Sequence, residues 1–299
     1  MRRTTKSNSN FGDDLMARNM MISSTNYVDN ANSITVDDEV ATLPIENLQD
    51  RQIVRIWRNT QTTAQIDIDF GSARIVNFAA LVKHNISQTG TIRWRFSNVA
   101  DFSTTAYDSG VVDAWPIVEE FGTLPWGVFI WGGYLNPEVA ANYTISTFDI
   151  LQTPIQARYF RIDISDPTNA DGYIQAGRLL SGPAYEPSIN YANGVSFEFV
   201  DESRITKSRG GQTFVDEVER FRRMQFELIN LPEKEIFGNI FNQVDRLRGV
   251  AQDILIIPQP DDPNTWITQN IYGRITATGP IVNSALDYYS RLIEVEELI

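Results

Sequence analysis

His84 is the only histidine of the chain, and there is no cysteine. A Ser–His–Asp triad or a multi-histidine metal site with a single histidine needs another residue type or a second subunit. Without cysteine, disulfides, thiolate metal sites and thiol nucleophiles are excluded. His84 and Asn85 follow an apolar run, so the ring either makes a polar contact in a ligand loop or anchors a turn, the commoner fate of a lone histidine. Asp69-Phe70-Gly71 spells a kinase metal motif, but no H-R-D, Gly-rich loop or strand lysine accompanies it. Gly210-Gly211 is not followed by the Lys-Ser/Thr of a phosphate loop. Asp113, Glu119, Glu120 and Glu138 would make a glycosidase pair only if two of them stood roughly 5–10 Å apart across a sugar cleft. Nothing in the sequence fixes that geometry, and solvated loop acids are the simpler reading. The chain is expected not to be an enzyme. Asp166, Asn169, Asp171 and Gly172 form an acidic turn whose spacing misses the EF-hand register; Asx-turns between strands are the simpler reading.

The most informative cluster is aromatic. Trp115, Trp126, Trp131 and Tyr134 fall in a long insertion, 113–153, among prolines and glycines, and a loop of that length in a compact domain is usually functional or an interface. Exposed aromatics stack on sugar faces or anchor protein contacts. Interfaces are enriched in Trp and Tyr, and no Asn, Asp or Arg cluster flanks Trp126 and Trp131, so packing against a neighbouring subunit is the stronger reading. Trp57 and His84 complete the candidate interface or glycan residues.

These residues need a scaffold. The 299 residues exceed one ordinary core and suggest two domains. A hydrophobic share of 42% against 21% charged suits a folded protein. Lys and Arg number 25 against 38 Asp and Glu, a net charge of −13. That leaves no concentrated basic face, so sequence-specific nucleic-acid binding is not expected. The basic start Met1-Arg2-Arg3 has no apolar run behind it, and no stretch approaches the roughly 20 apolar residues of a membrane helix. A soluble protein without membrane insertion is expected, made in the cytoplasm.

Short β-prone runs fill the first two thirds. Gln65–Phe70 alternates polar and apolar, with Gly71-Ser72 expected to end the strand; Ile75–Val82 is continuously apolar; Thr91–Phe96 and Arg158–Ile164 alternate again. This texture predicts a sandwich or jelly roll. After the proline-marked linker 183–194 the texture changes. Phe221–Ile229 alternates, and a helix is expected over 232–248, with Pro232 in its first turn and Gly249 past its end. Ile236, Phe237, Ile240, Phe241 and Val244 would form its apolar stripe and the core of the second domain. Strands are expected at 254–257, 266–275 and 285–295. The fold class is therefore mainly β, a β-sandwich followed by a small β-barrel or sheet domain with one packed helix. The expected division is an extended N-terminal arm, 1–22, a sandwich, 23–185, and the second domain, 186–299. The polar arm cannot build a core and is expected to lie against a neighbouring subunit.

Two residue series resemble known families. Asn47-Leu48, Ile56-Trp57-Arg58, Ile66–Gly71 and Ala157–Ile162, in that order, resemble the discoidin, or galactose-binding-like, superfamily, which implies a jelly roll over about 23–185. Some members carry a structural calcium, so the resemblance makes Asp166, Asn169 and Asp171 a weak metal candidate; no other cofactor is implied. Phe226-Glu227-Leu228, the helix, Ile254–Asp261, Ile271–Arg274 and a strand closing on Glu294 are similar to the ring-forming domain of phage distal tail and tail-tip proteins. That similarity implies a structural tail component in the virion, assembled in the bacterial host cytoplasm as a homo-oligomeric ring, a hexamer or trimer. Its partners would be other tail proteins and a host surface glycan. A carbohydrate-binding adhesin module without ring assembly is the alternative.

Overall fold

A computed structural model describes residues 18–118, 133–246 and 251–299. In chain order the first strands are β1 (Met21–Ser23), β2 (Ser33–Val36), β3 (Trp57–Arg58), β4 (Thr63–Val82), β5 (Thr91–Ser97), β6 (Tyr107–Asp108) and β7 (Val112–Asp113). Next come β8 (Ser146–Ser165), β9 (Gln175–Ala176), β10 (Arg178–Gly182), β11 (Ser196–Val200), β12 (Arg204–Lys207) and β13 (Thr213–Asp216). The last are β14 (Phe221–Pro232), β15 (Asp253–Ile257), β16 (Ile271–Thr278), β17 (Val282–Ala285) and β18 (Tyr288–Glu297). Every pairing among them is antiparallel. The molecule is mainly β, as the alternating runs predict.

The first large sheet runs β10-β4-β8-β5-β6, with β2 also on β4 and β7 also on β5. Its two axial strands, β4 and β8, are each 20 residues long, enough to bend round a core in a jelly roll. Gly71 and Ser72 do not end the strand, as the sequence suggested. Gly71 adopts φ 77° and its N–H binds the Asp69 carboxylate, so β4 passes through an irregularity between Asp69 and Arg74 and continues. The inward side chains of the first half of β4, Ile66, Ile68 and Phe70, pack with Trp94 and Phe96 of β5 and Phe160 and Ile162 of β8. Phe160 stacks on Phe96 at 4.4 Å and on Trp94 at 6.0 Å. The outward side chains of this half and of its neighbours β8, β5 and β6 include charged groups paired in rows: Asp69 with Arg158, Asp67 with Arg161, Asp163 with Arg95, and Asp108 with Arg93. One wet face and one dry face produce the alternation read from the sequence.

The second half of β4 behaves differently. Phe78, Ala79, Ala80, Leu81 and Val82 are all buried, because both faces are covered. Ala79 and Leu81 point into the sandwich core. Phe78, Ala80 and Val82, with Phe148 and Ile150 of β8, pack against Leu255 and Ile257 of β15 and Tyr272 of β16. Those strands belong to the second large sheet, β1-β15-β16-β18-β14-β11, with β17 on β18. The far side of that sheet carries Met224, Phe226, Leu228, Ile256, Ile271 and Val295, capped by Ile236 and Ile240 of the following helix.

Several expectations are corrected here. The helix starts at Glu233, since Pro232 is the last residue of β14, and after one α-helical turn Ile236–Arg246 is a π-helix. Wider i→i+5 turns rotate each residue by less than the about 100° of an α-helix, so a stripe counted on α-helical spacing drifts off the sheet. Ile236 and Ile240 are fully buried and Phe237 is partly buried, but Phe241 is 44% exposed; the side chain of Val244 lies outside the described residues. Expected strand 266–275 begins as helical turns, Pro263–Thr265 and Trp266–Gln269, because Asp262 accepts a capping bond from the Asn264 N–H and Pro263 occupies the first turn. Expected strand 285–295 is the hairpin β17–β18. The end of the expected arm 1–22 is no arm: Met21–Ser23 is an edge strand paired with β15. Residues 1–17, on which the expected contact with another subunit rests, lie outside the described residues.

Arg178 closes the junction between the two sheets. The side chain is fully buried. Its guanidinium reaches Asp29 at 2.8 Å, Asp253 at 2.9 Å and the Tyr272 hydroxyl oxygen at 3.1 Å, while that hydroxyl donates to Asp253 at 2.8 Å. Burial opposes ionisation of Asp253, and the adjacent guanidinium outweighs it, holding the carboxyl below its ordinary range. Removing the cation strands two buried carboxylates. Arg178→Met should therefore lower the unfolding free energy by about 3–5 kcal/mol in chemical denaturation; a loss under roughly 1 kcal/mol, the scale of a surface pair, would show that the network holds nothing together.

Candidate ligand-binding site

One end of the sandwich is built from three polar segments: the loop after β4, Lys83–Gly90, the turn after β8, Asp166–Gly172, and the residues leading into β8, 136–145. His84 organises the first. Its Nδ1 accepts the Ile86 N–H at 3.2 Å, so the proton sits on Nε2, which donates to the Thr147 hydroxyl at 2.9 Å; Thr147 in turn donates to the Ala114 carbonyl. Burial pushes the His84 pKa down to about 3. The ring is thus a neutral anchor beneath the loop and does not reach a ligand through its charge. Lys83 absorbs the sharp change of direction at φ 57°.

Asp166 ties the loop to the turn. Its fully buried carboxylate accepts from the Ser87 N–H at 2.6 Å, the Ser87 hydroxyl at 2.7 Å and the Asn169 amide at 3.0 Å. Asn169 also donates to the Asn85 carbonyl, and Asp171 accepts from the Asn85 amide at 2.9 Å. The weak metal candidates Asp166, Asn169 and Asp171 are therefore occupied by protein donors, and no group of three or more His, Cys, Asp or Glu with metal-binding geometry occurs among the described residues. Gly90 is required by packing, since a Cβ there would stand 2.3 Å from the Ile86 side chain and 3.1 Å from the Asp166 carboxyl carbon.

Above this network lies an open depression of about 610 Å³, lined by Asn85, Ser87, Gln88, Thr89, Thr168, Tyr143 and, at its floor, His84 and Trp115. Its lining holds hydroxyls, amides and aromatic rings beside the apolar Ile86, Ala140, Ala141 and Ile145, and among the described residues no carboxylate, lysine or arginine lines it. Thr89 and Thr168 face each other across the rim at 2.7 Å. A wider groove of about 990 Å³ adjoins it, between the sandwich end and the second sheet, and includes Lys83, Glu138, Phe199, Glu217, Glu219 and Arg220. Tyr143 belongs to both, edge-on to Phe199 at 5.6 Å and under the Arg222 guanidinium at 5.1 Å.

The aromatic candidates separate. Trp115 is buried, donates to the Ile86 carbonyl at 2.8 Å and forms floor, and Tyr134 packs partly buried on the sandwich core. Trp57, read as an interface or glycan residue, is fully buried in the same core. None of the three is a projecting platform. Trp126 and Trp131 lie outside the described residues, as do Glu119 and Glu120. Sequence reading missed Gln88, Thr89, Tyr143 and Thr168. The available signal was the largely polar segment Lys83–Gly90 behind a mostly apolar strand, a loop position where binding groups concentrate.

No protein-family model matches the chain, and no curated protein matches it. Similar solved structures include a chitosan-binding module of a chitosanase/glucanase from Paenibacillus sp. IK-5, 14% identical over 53% of this chain and 98% of the module, TM-score 0.34. The family 32 carbohydrate-binding module of C. perfringens NanJ in complex with galactose is 14% identical over 52% of this chain and 97% of that one, TM-score 0.35. The lectin domain of Lectinolysin complexed with Lewis B antigen is 10% identical over 53% and 97%, TM-score 0.36. Each of these likenesses covers about half of the chain.

A neutral His84 has a direct readout, because its imidazole is the only one in the chain. The unfolded ring titrates near 6.5 and the folded one at about 3, so the unfolded state takes up the proton first as pH falls. This term leaves stability untouched above about 6.5 and erodes it between about 6.5 and 3. The ring signals in a proton NMR titration should stay constant from about pH 8 to 5; a midpoint near 6.5 would place the ring in solvent.

Proposed function

We propose that the protein is a non-catalytic binding protein that holds a neutral saccharide at the loop end of its β-sandwich. The observation that carries this reading is the lining of the smaller depression: hydroxyls and amides beside aromatic and aliphatic side chains, with no ionised group among the described residues. Hydroxyl and amide side chains offer both donors and acceptors to sugar hydroxyls, and an aromatic face takes the apolar side of a pyranose. A cleft for glycoside hydrolysis would instead bring two carboxylates to the scissile bond. The fixed loop lowers the ordering cost of binding.

Thr89→Val and Thr168→Val remove the two rim hydroxyls at nearly constant volume. On an array of neutral oligosaccharides the double variant should bind its best glycan about tenfold more weakly, the equivalent of about 1.4 kcal/mol, with an unchanged thermal melt. Equal binding by the variant, or no glycan bound by the wild type, would remove the reading.

A second reading, a structural ring component of a phage tail tip that meets other tail proteins, is favoured by a different feature. Among the described residues strand β11 is an open sheet edge, and the hairpin β12–β13 carries apolar residues in solvent; an uncovered edge is a template for pairing with another chain. Native mass spectrometry of the full chain should then give a closed homo-oligomer, and a monomer at every concentration would sink this reading.

A further inference from the structure

Among the described residues the hairpin β12–β13 pairs only with itself. Its register sets Ile205 opposite Val215 and Thr206 opposite Phe214, so one face carries Ile205 and Val215 and the other carries Phe214. These side chains are 67%, 56% and 57% exposed. A two-stranded ribbon of four residues a side is marginal in water, and apolar groups on both faces make it more so. The ribbon is shaped to be covered.

Charge says by what. The segment Arg204–Gln212 holds Arg204, Lys207 and Arg209 and no carboxylate, on a chain of net charge −13. The base of the same hairpin, at Ser203 and Glu217–Arg220, forms one wall of the 990 Å³ groove. In that groove Arg220 is paired with Asp201 and Glu297 with Arg222. Glu138, Glu217 and Glu219 have no cation partner among the described residues, against a single further cation, Lys83. Apolar Val139 and Phe199, 43% and 48% exposed, stand beside them. The basic tip and the acidic groove therefore lie at opposite ends of one straight ribbon, about 13 Å apart for four residues at about 3.3 Å each. A ribbon cannot fold its tip back to its own base, so the surface that suits this tip is offered by a second copy.

We propose that the β12–β13 hairpin of one copy docks in the groove of a second copy, with Lys207 and Arg209 against Glu138, Glu217 and Glu219. The inference rests on the second, assembling reading of the function and supplies its contact surface. Such a contact is heterologous, and repeated with a closing rotation it generates a ring.

The test uses the full chain and reciprocal charge reversal, read by native mass spectrometry and sedimentation. Wild type should associate, more weakly as salt rises. Lys207→Glu with Arg209→Glu should weaken association about 100-fold, as should Glu217→Lys with Glu219→Lys, and mixing the two variants should restore a hetero-assembly. All four side chains are exposed, so melts should not change; the milder pair Lys207→Ala and Arg209→Ala, intermediate in association, covers the case in which a reversal disturbs folding. A wild type that never associates overturns both this proposal and the assembling reading. Association that survives the hairpin reversal overturns the proposal alone. Loss that mixing fails to restore assigns the hairpin to a different partner and overturns it as well.

Discussion

The structure depends on the burial of the second half of β4 from both sides. Ala79 and Leu81 serve the sandwich while Phe78, Ala80 and Val82 serve the second sheet. One strand therefore belongs to two cores. Each fully buried large aliphatic or aromatic side chain contributes about 1.5–3 kcal/mol, and here those contributions also fix how the sheets face each other. The small residues Ala79 and Ala80 let the layers approach at the centre of this plane.

Polar groups at the same junction cost free energy, and their arrangement offsets that cost. Arg178 has left water completely, yet two carboxylates, the Tyr272 oxygen and the Leu48 carbonyl receive its hydrogens. An unpaired charge there would be intolerable. The network is also directional, since Asp29 comes from the sandwich side of the chain and Asp253 from β15. It sets the register between layers that apolar contact alone would leave free to slide. The exposed half of β4 shows the opposite regime: its Asp side chains and the Arg side chains of β8 neutralise each other in solvent, which leaves that face without net attraction for a charged partner.

Elements with one wet and one dry face were legible, because burial writes itself into a period of two. Gln65–Phe70, Thr91–Phe96, Arg158–Ile164 and Phe221–Ile229 are strands for that reason. The run Ile75–Val82 was legible as a strand, but its lack of alternation does not say which layer lies on its second face. Aromatic type proved a poor guide to exposure: Trp57 and Trp115 have the composition of an interface and the position of a core. At Trp266 local capping by Asp262 and Pro263 outweighed strand propensity. The helix was found by its apolar stripe, while its widened turn, and with it the exposure of Phe241, depends on packing that no periodicity records. The depression at the loop end was not legible, since its groups come from three segments far apart in the chain.

Strand β1 has a consequence for how the molecule comes into being. Met21–Ser23 pairs with Leu255–Ile257, so the second sheet takes one edge from a segment before the sandwich and its other strands from segments after it. On the ribosome, β1 emerges before the sandwich and waits unpaired until β15 has been made. Met20 and Ile22, destined for full burial, spend that interval exposed. Contacts of such sequence separation are slow to form, and an unpaired strand invites wrong partners meanwhile. The sandwich can close early as a unit, whereas the second sheet is a late product of synthesis, and a C-terminal fragment beginning at residue 186 would lack its own edge.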